Sequence, residues 1–243
     1  KGELGMVTAE TLAASCARLR EIANSQSIPA IVRFEEEVCD SLEYSALKKA
    51  ADTQVVQQKY SKGTYLTGVC GYYYPSDIGI AVTDNVKRGR LVRENKLDAS
   101  DYIYEYDGSG HLLRILCPNM NVATYRIALG SVVLFIGYHG YLVTEQPTPE
   151  HILIASYDDE SHLQAMIQDY WYVDRYTGEK LGHTIDLEIY HKISAQEWLC
   201  TMTEYLADPN RAEGETAYYT YLIGKYVFSY EGNKIARWYR VKE

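Results

Sequence analysis

The chain has 243 residues, 47% of them hydrophobic and 23% charged, with a net charge of −9. These are the values of a globular chain with a sizeable core, and the acidic balance argues against a phosphate-binding surface, so no nucleic-acid partner is expected. No apolar run reaches the roughly 18–20 residues a membrane-crossing helix needs, so no membrane span is expected either.

The first sixty residues have helical grammar. From Thr8, a candidate N-cap, Leu12, Cys16, Leu19 and Ile22 recur at helical spacing. Asn24 to Ser27 and Pro29 end that run. A second helix, with Phe34, Val38, Leu42 and Ala46 on one face, is predicted to reach about Gln58 with a break near Asp52-Thr53. Glu35-Glu36-Glu37 would sit in its early turns, where acids suit the helix dipole. The chain opens on Lys1, so Met6 is one candidate start and a trimmed mature form is the other.

After Gly63, β-rich runs alternate with Gly, Asp and Asn turns. Strands are predicted at Tyr65–Tyr74, Ile78–Thr83, Arg90–Arg93, Tyr102–Tyr106, His111–Leu116, Ala123–Leu129, Val132–Tyr138, Tyr141–Thr144 and Ile152–Tyr157. Others follow at His162–Gln168, Tyr170–Arg175, His183–His191, Ala217–Tyr230 and Lys234–Val241. One helix is predicted among them over 194–208, from a capping box at Ser194 to Glu197 and the spacing of Trp198, Met202 and Tyr205. The expected architecture is α+β: N-terminal helices (1–60) packed on a Tyr-rich antiparallel β-meander of successive hairpins (61–243) with that one later short helix.

The turns contain a repeat. Tyr106-Asp107-Gly-Ser-Gly-His111-Leu112 and Tyr157-Asp158-Asp-Glu-Ser-His162-Leu163 share Tyr-Asp-x-x-x-His-Leu. Looser copies are Tyr230-Glu231 to Lys234-Ile235 and Thr83-Asp84 to Arg90-Leu91. Tyr104-Glu-Tyr106-Asp107 through Ile115 resembles the YD repeat of the Rhs and teneurin group, which implies hairpins joined into a curled sheet. His111 stands where that repeat usually has Arg, and Ser161 replaces its Gly in the second copy.

Candidate chemistry is sparse. If the hairpins were neighbours, Asp107, His111, Asp158 and His162 could converge on one rim as a metal or acid/base cluster. The alternative is that each His simply starts a returning strand. There is no Gly-x-Ser-x-Gly elbow and no Gly-rich phosphate loop. The five cysteines (Cys16, Cys39, Cys70, Cys117, Cys200) lack metal-ligand spacing. Their odd, dispersed placement suggests reduced thiols and a cytoplasmic chain, with a trimmed exported form as the alternative. No cofactor is expected.

The composition is most unusual in tyrosine, with 24 Tyr against 3 Phe. Three dense clusters stand out: Tyr72-Tyr73-Tyr74, Tyr170-Trp171-Tyr172, and Tyr218-Tyr219 with Tyr221. Such residues dominate recognition surfaces because they offer large area with few rotatable bonds. The expectation is a non-enzymatic protein-binding module using these clusters, its acidity suiting a basic partner. The Rhs resemblance implies a toxin domain as that partner, occluded by this chain as an immunity protein. Two alternatives stay open: a small-molecule or lipid carrier using a concave sheet, and a metal-dependent hydrolase with the His/Asp rim.

Overall fold

The computed structural model describes residues 9–62, 68–82, 90–93, 102–173, 180–207, 218–231 and 234–242. Four helices come first: α1 (Ala9–Ala17), α2 (Leu19–Ser25), α3 (Ile28–Asp40) and α4 (Tyr44–Gln54). Twelve strands among the described residues form one antiparallel sheet. They are β1 (Gln57–Lys62), β2 (Arg90–Val92), β3 (Ile103–Tyr106), β4 (Leu112–Cys117), β5 (Val122–Leu129) and β6 (Val132–His139). The remaining six are β7 (Thr148–Tyr157), β8 (Leu163–Val173), β9 (Lys180–Lys192), β10 (Glu197–Ala207), β11 (Tyr218–Glu231) and β12 (Lys234–Arg240). From β3 to β12 each strand lies beside its sequence neighbour, and β1 sits between β3 and β2 at the other edge. The fold is therefore an α+β meander, as the sequence leads one to expect.

The helices cover one face of the sheet. In α3, Ile31, Phe34, Glu35 and Val38 are buried at helical spacing. With Leu12, Cys16, Leu19 and Ile22 they pack on Leu134, Ile152, Ile154, Ile167, Ile185 and Leu187. The opposite face carries Tyr102, Tyr104, Tyr106, Phe135, Leu153, Met166, Tyr190, Trp198 and Phe228. That inner face receives the segment Gly68–Tyr73, two turns of 3₁₀ helix broken at Gly71, and the short helix α5 (Asp77–Val82). Central strands are thus buried on both sides, which is why β6 and β7 read as continuous apolar runs, not as alternating ones. Segment 68–82 meets β3 at Tyr73 and β9 at Ser76, strands six places apart in the sheet. Six steps of about 4.8 Å would put them roughly 29 Å apart on a flat sheet, a span that the segment bridges together with the long side chains of Tyr73, Tyr106 and Tyr190.

Several expectations need correction. The predicted helix over 194–208 is strand β10. Trp198, Cys200 and Met202 also alternate with period two, and pairing to both β9 and β11 decides the ambiguity. Ser194 Oγ does accept the N–H of Glu197 at 3.1 Å, as an N-cap would, but it closes the hairpin between β9 and β10. Of the predicted strand Tyr65–Tyr74, residues 65–67 lie outside the described residues; 68–73 are helical, with Gly71 at φ +50°. Ile78–Thr83 is α5 over its described part, started by Ser76 Oγ accepting the Gly79 N–H at 2.8 Å. Tyr141–Thr144 is a turn, where the N–H groups of Val143 and Thr144 both reach the Gly140 carbonyl.

The helical boundaries also move. The first run breaks at Arg18 into α1 and α2, and its proposed cap, Thr8, lies outside the described residues. Pro29 opens α3 in place of merely ending α2, because the first helical turn has no partner for the N–H that proline lacks. The second run breaks at Ser41–Glu43, where Ser41 Oγ donates to the Val38 carbonyl at 2.6 Å. Gln57 and Gln58 belong to β1. Glu35 lies in mid-helix and is buried. The runs 162–168 and 170–175 are one strand, β8, as far as residue 173; beyond it residues 174–179 are not described.

Candidate functional site

The two full copies of the Tyr-Asp turn have the same hydrogen bonding. In the first, Asp107 Oδ1 accepts the N–H of Ser109 at 2.9 Å and of His111 at 2.8 Å. In the second, Asp158 Oδ1 accepts the N–H of Glu160 at 3.0 Å and of His162 at 2.8 Å. Gly110 (φ +83°) and Ser161 (φ +66°) occupy the same left-handed position. The register slips by one residue at Glu105/Tyr106 and again at Ser156/Tyr157. The third copy closes β11 onto β12 with Tyr230 opposite Ile235 and a slip at Ser229/Tyr230. The fourth falls at 83–89, outside the described residues, apart from Arg90 and Leu91 in β2.

The meander places the first two turns on one rim, but β5 and β6 run between their hairpins. Asp107 and His111 therefore meet each other, at 3.2 Å, and not the second pair. His162 Nδ1 instead lies 3.4 Å from Asp158 Oδ2 and 3.5 Å from Glu160 Oε2. Glu160 is thus a member of this group that the repeat pattern did not single out. Among the described residues, Asp158, Glu160 and His162 are the one trio of ligand-type side chains whose donor atoms lie within 4.8 Å of one another.

The first tyrosine cluster is turned inward. Tyr73 and Tyr106 share a hydrogen bond between hydroxyls at 2.8 Å, and the Tyr72 N–H donates to Tyr104 Oη at 2.9 Å. Burial, reinforced by Glu188 and Asp186, pushes the Tyr74 hydroxyl well above its ordinary range. Tyr72, Tyr73 and Tyr74 are half-buried against the inner core. In the second cluster neighbours point opposite ways, as strand residues must: Tyr170 packs with the inner core and Trp171 with the helices. Tyr170 Oη donates to Glu150 Oε1 at 3.1 Å. Tyr218, Tyr219 and Tyr221 lie in β11 and Tyr172 in β8; their side chains are outside the described residues.

The inner face also holds acids that sequence reasoning missed. Asp186 sits between Gln168 on β8 and Glu204 on β10 in direct register. Burial, then Glu204 and Glu188, pushes the Asp186 carboxyl up to about 7. Burial likewise raises Glu188 to about 7, against hydrogen bonds from Tyr190 and Ser76. His151, buried and sharing a 3.1 Å hydrogen bond with Thr124, is held down to about 3 by desolvation. The signal was the alternation Asp186-Leu187-Glu188-Ile189-Tyr190, which puts both acids on the tyrosine's face. On the helix side Glu35 is buried with Asp169; desolvation and then that carboxylate hold its own carboxyl well above the usual range.

Two features face solvent. An open groove of about 680 Å³ runs between α4 and the 141–145 turn, lined by Tyr44, Lys48, Asp52, Tyr141 and Val143. Strand β12 ends the described sheet; apart from Ile235, which packs on the inner core, its residues are exposed, with Trp238 44% and Tyr239 57% accessible opposite Phe228 and Val227 of β11. Lys234, Arg237, Arg240 and Lys242 give residues 234–242 four cations and no acid. No family model matches the chain, and no curated protein matches it.

Proposed function

We propose that the chain is a protein-binding module whose partner docks on β12. The carrying observation is that edge strand, which keeps Trp238 and Tyr239 open to water and, among the described residues, has no strand on its outer side. An exposed edge is a template for a further strand, and cations such as Arg237 on it deter indiscriminate pairing. Aromatic anchors beside that edge supply the apolar area a recognition site needs. The cations of β12 favour an acidic partner surface, in contrast to the basic partner that the net charge alone suggests. Occlusion of a toxin domain by an immunity protein is the form of binding that we favour, supported by the likeness of the Tyr-Asp turns to YD repeats.

The test is affinity capture from the native lysate with the unaltered chain and with Tyr239→Ala/Arg237→Glu. A stoichiometric protein retained by the first and lost from the second supports the reading. Capture of an apolar small molecule alone sinks it and favours a carrier. Self-association through β12, seen as a dimer in sedimentation that the double variant abolishes, also overturns it.

A further inference from the structure

From the geometry of the β7–β8 turn we infer that Asp158, Glu160 and His162 form a binding site for a divalent transition-metal ion of the zinc class. One imidazole nitrogen and two carboxylate oxygens are a donor set suited to such ions. His162 Nδ1 is shielded from solvent and makes no hydrogen bond. Its separations from the two carboxylate oxygens, 3.4 and 3.5 Å, are long for hydrogen bonds. They match the edge of a tetrahedron, about 3.3–3.4 Å, whose centre lies about 2.0–2.1 Å from each donor.

The first Tyr-Asp turn is an internal control. There the residue equivalent to Glu160 is Ser109, which cannot be a third strong ligand, and His111 sits at hydrogen-bonding distance from Asp107. The His111 side chain is 72% exposed against 25% for His162. His162 is held between Trp198 and Tyr230, with ring centroids at 5.0 and 5.3 Å. Asp158 Oδ1 is committed to the turn N–H groups, which aims Oδ2 toward His162; Gln164 Nε2 steadies that oxygen at 3.3 Å. Ring and carboxylate are therefore oriented before any ion arrives. Lys192 Nζ, 3.3 Å from Glu160 Oε2, neutralises the third ligand and competes with a cation for it. Three protein donors leave a fourth position for water or for a side chain of a docked protein.

The full chain, stripped with a chelator, is titrated with Zn²⁺ by calorimetry and with Co²⁺ by visible absorption. One ion per chain is expected, with a tetrahedral cobalt spectrum. Glu160→Gln, at an exposed position, should weaken uptake by at least about tenfold, and Lys192→Met should strengthen it. His111→Gln should leave it unchanged. Absence of saturable uptake, indifference to Glu160→Gln, or equal loss in His111→Gln each overturns the assignment. None of these readouts depends on the proposed protein partner.

Discussion

The hydroxyl of Tyr73 lies 2.8 Å from that of Tyr106, and this contact ties segment 68–82 to the strand that opens the first Tyr-Asp turn. Each hydroxyl finds its partner in the other, which is how a half-buried surface can use tyrosine where phenylalanine would be expected. Tyr73→Phe should therefore cost about 1 kcal/mol of stability in urea unfolding. Adding Tyr106→Phe should cost less than the two single losses summed, since the second change removes the group the first left unpaired. Strict additivity would contradict the pairing.

The two turns make the same demand on one position and meet it with different residues, Gly110 and Ser161. Ser161 adopts a positive φ that L side chains reach only at a cost of roughly 1–2 kcal/mol. Ser161→Gly should stabilise the protein by up to about 1 kcal/mol, and Gly110→Ser should destabilise it similarly. Thermal melts of the two variants should move in opposite directions.

Arg114 bonds Glu105 and lies 2.6 Å from Asp52. Burial alone would lower the guanidinium; the acids outweigh it and hold the group above its ordinary range. Arg114→Met leaves the buried Glu105 carboxylate without its cation, with Gln58 Nε2 still donating to Oε1 at 2.7 Å, and should cost about 3 kcal/mol. Adding Glu105→Gln should recover part of that loss, an outcome readable in the same denaturation series.

Gly137 has no space for a side chain, since a Cβ there would lie 1.9 Å from the His151 ring. Gly137→Ala should destabilise by about 1–3 kcal/mol through overpacking. His151→Ala, which clears the ring, should relieve most of it in the double variant.

Stability should rise as the solution is made mildly acidic. Asp186 and Glu188 have folded-state pKa values raised to about 7, so their stabilising effect is complete below about 4 and fades as pH climbs toward about 7; Glu35, raised by burial and by Asp169, acts in the same direction. His151 acts oppositely: its folded value near 3 removes stability as pH falls below 6.5. Between roughly pH 4.5 and 6.5 the folded state thus holds up to two extra carboxyl protons, on Asp186 and Glu188, and lacks up to one imidazole proton, a net of about one, to which Glu35 adds in the same direction. Each net proton is worth on the order of 1.4 kcal/mol per pH unit at most. Urea midpoints should be higher at pH 5 than at pH 7.5, and Asp186→Asn with Glu188→Gln should flatten the difference.

The meander and its Tyr-Asp turns were legible because their causes are local. Asp107 and Asp158 close their own turns, and strands such as β5 and β6 carry their own turn residues at Gly130 and Ser131. What escaped was decided at long range. Trp198, Met202 and Tyr205 fit a helix as well as a strand until β9 and β11 flank them. Tyr73 reads as a surface aromatic until Tyr106 accepts it. Glu160 is an exposed acid that nothing in the repeat pattern marks; only the ring of His162, packed between Trp198 and Tyr230, brings Nδ1 to 3.5 Å from its Oε2. The exposure of Trp238 and Tyr239 depends on β12 being last in the order, which no local pattern states.

The order of layers has a consequence for synthesis. Leu19, Ile31 and Phe34 leave the ribosome long before Ile152, Ile167 and Ile185, the strand residues they cover. At about 5–20 residues per second, the amphipathic helices wait several seconds with an apolar face unclaimed. The hairpins, by contrast, can zip one after another as each emerges, because neighbours in sequence are neighbours in the sheet. The helical layer is made first and seated late, so the nascent chain is most vulnerable to aggregation or chaperone capture at its beginning, before β7 to β9 give α1 to α3 a place to rest.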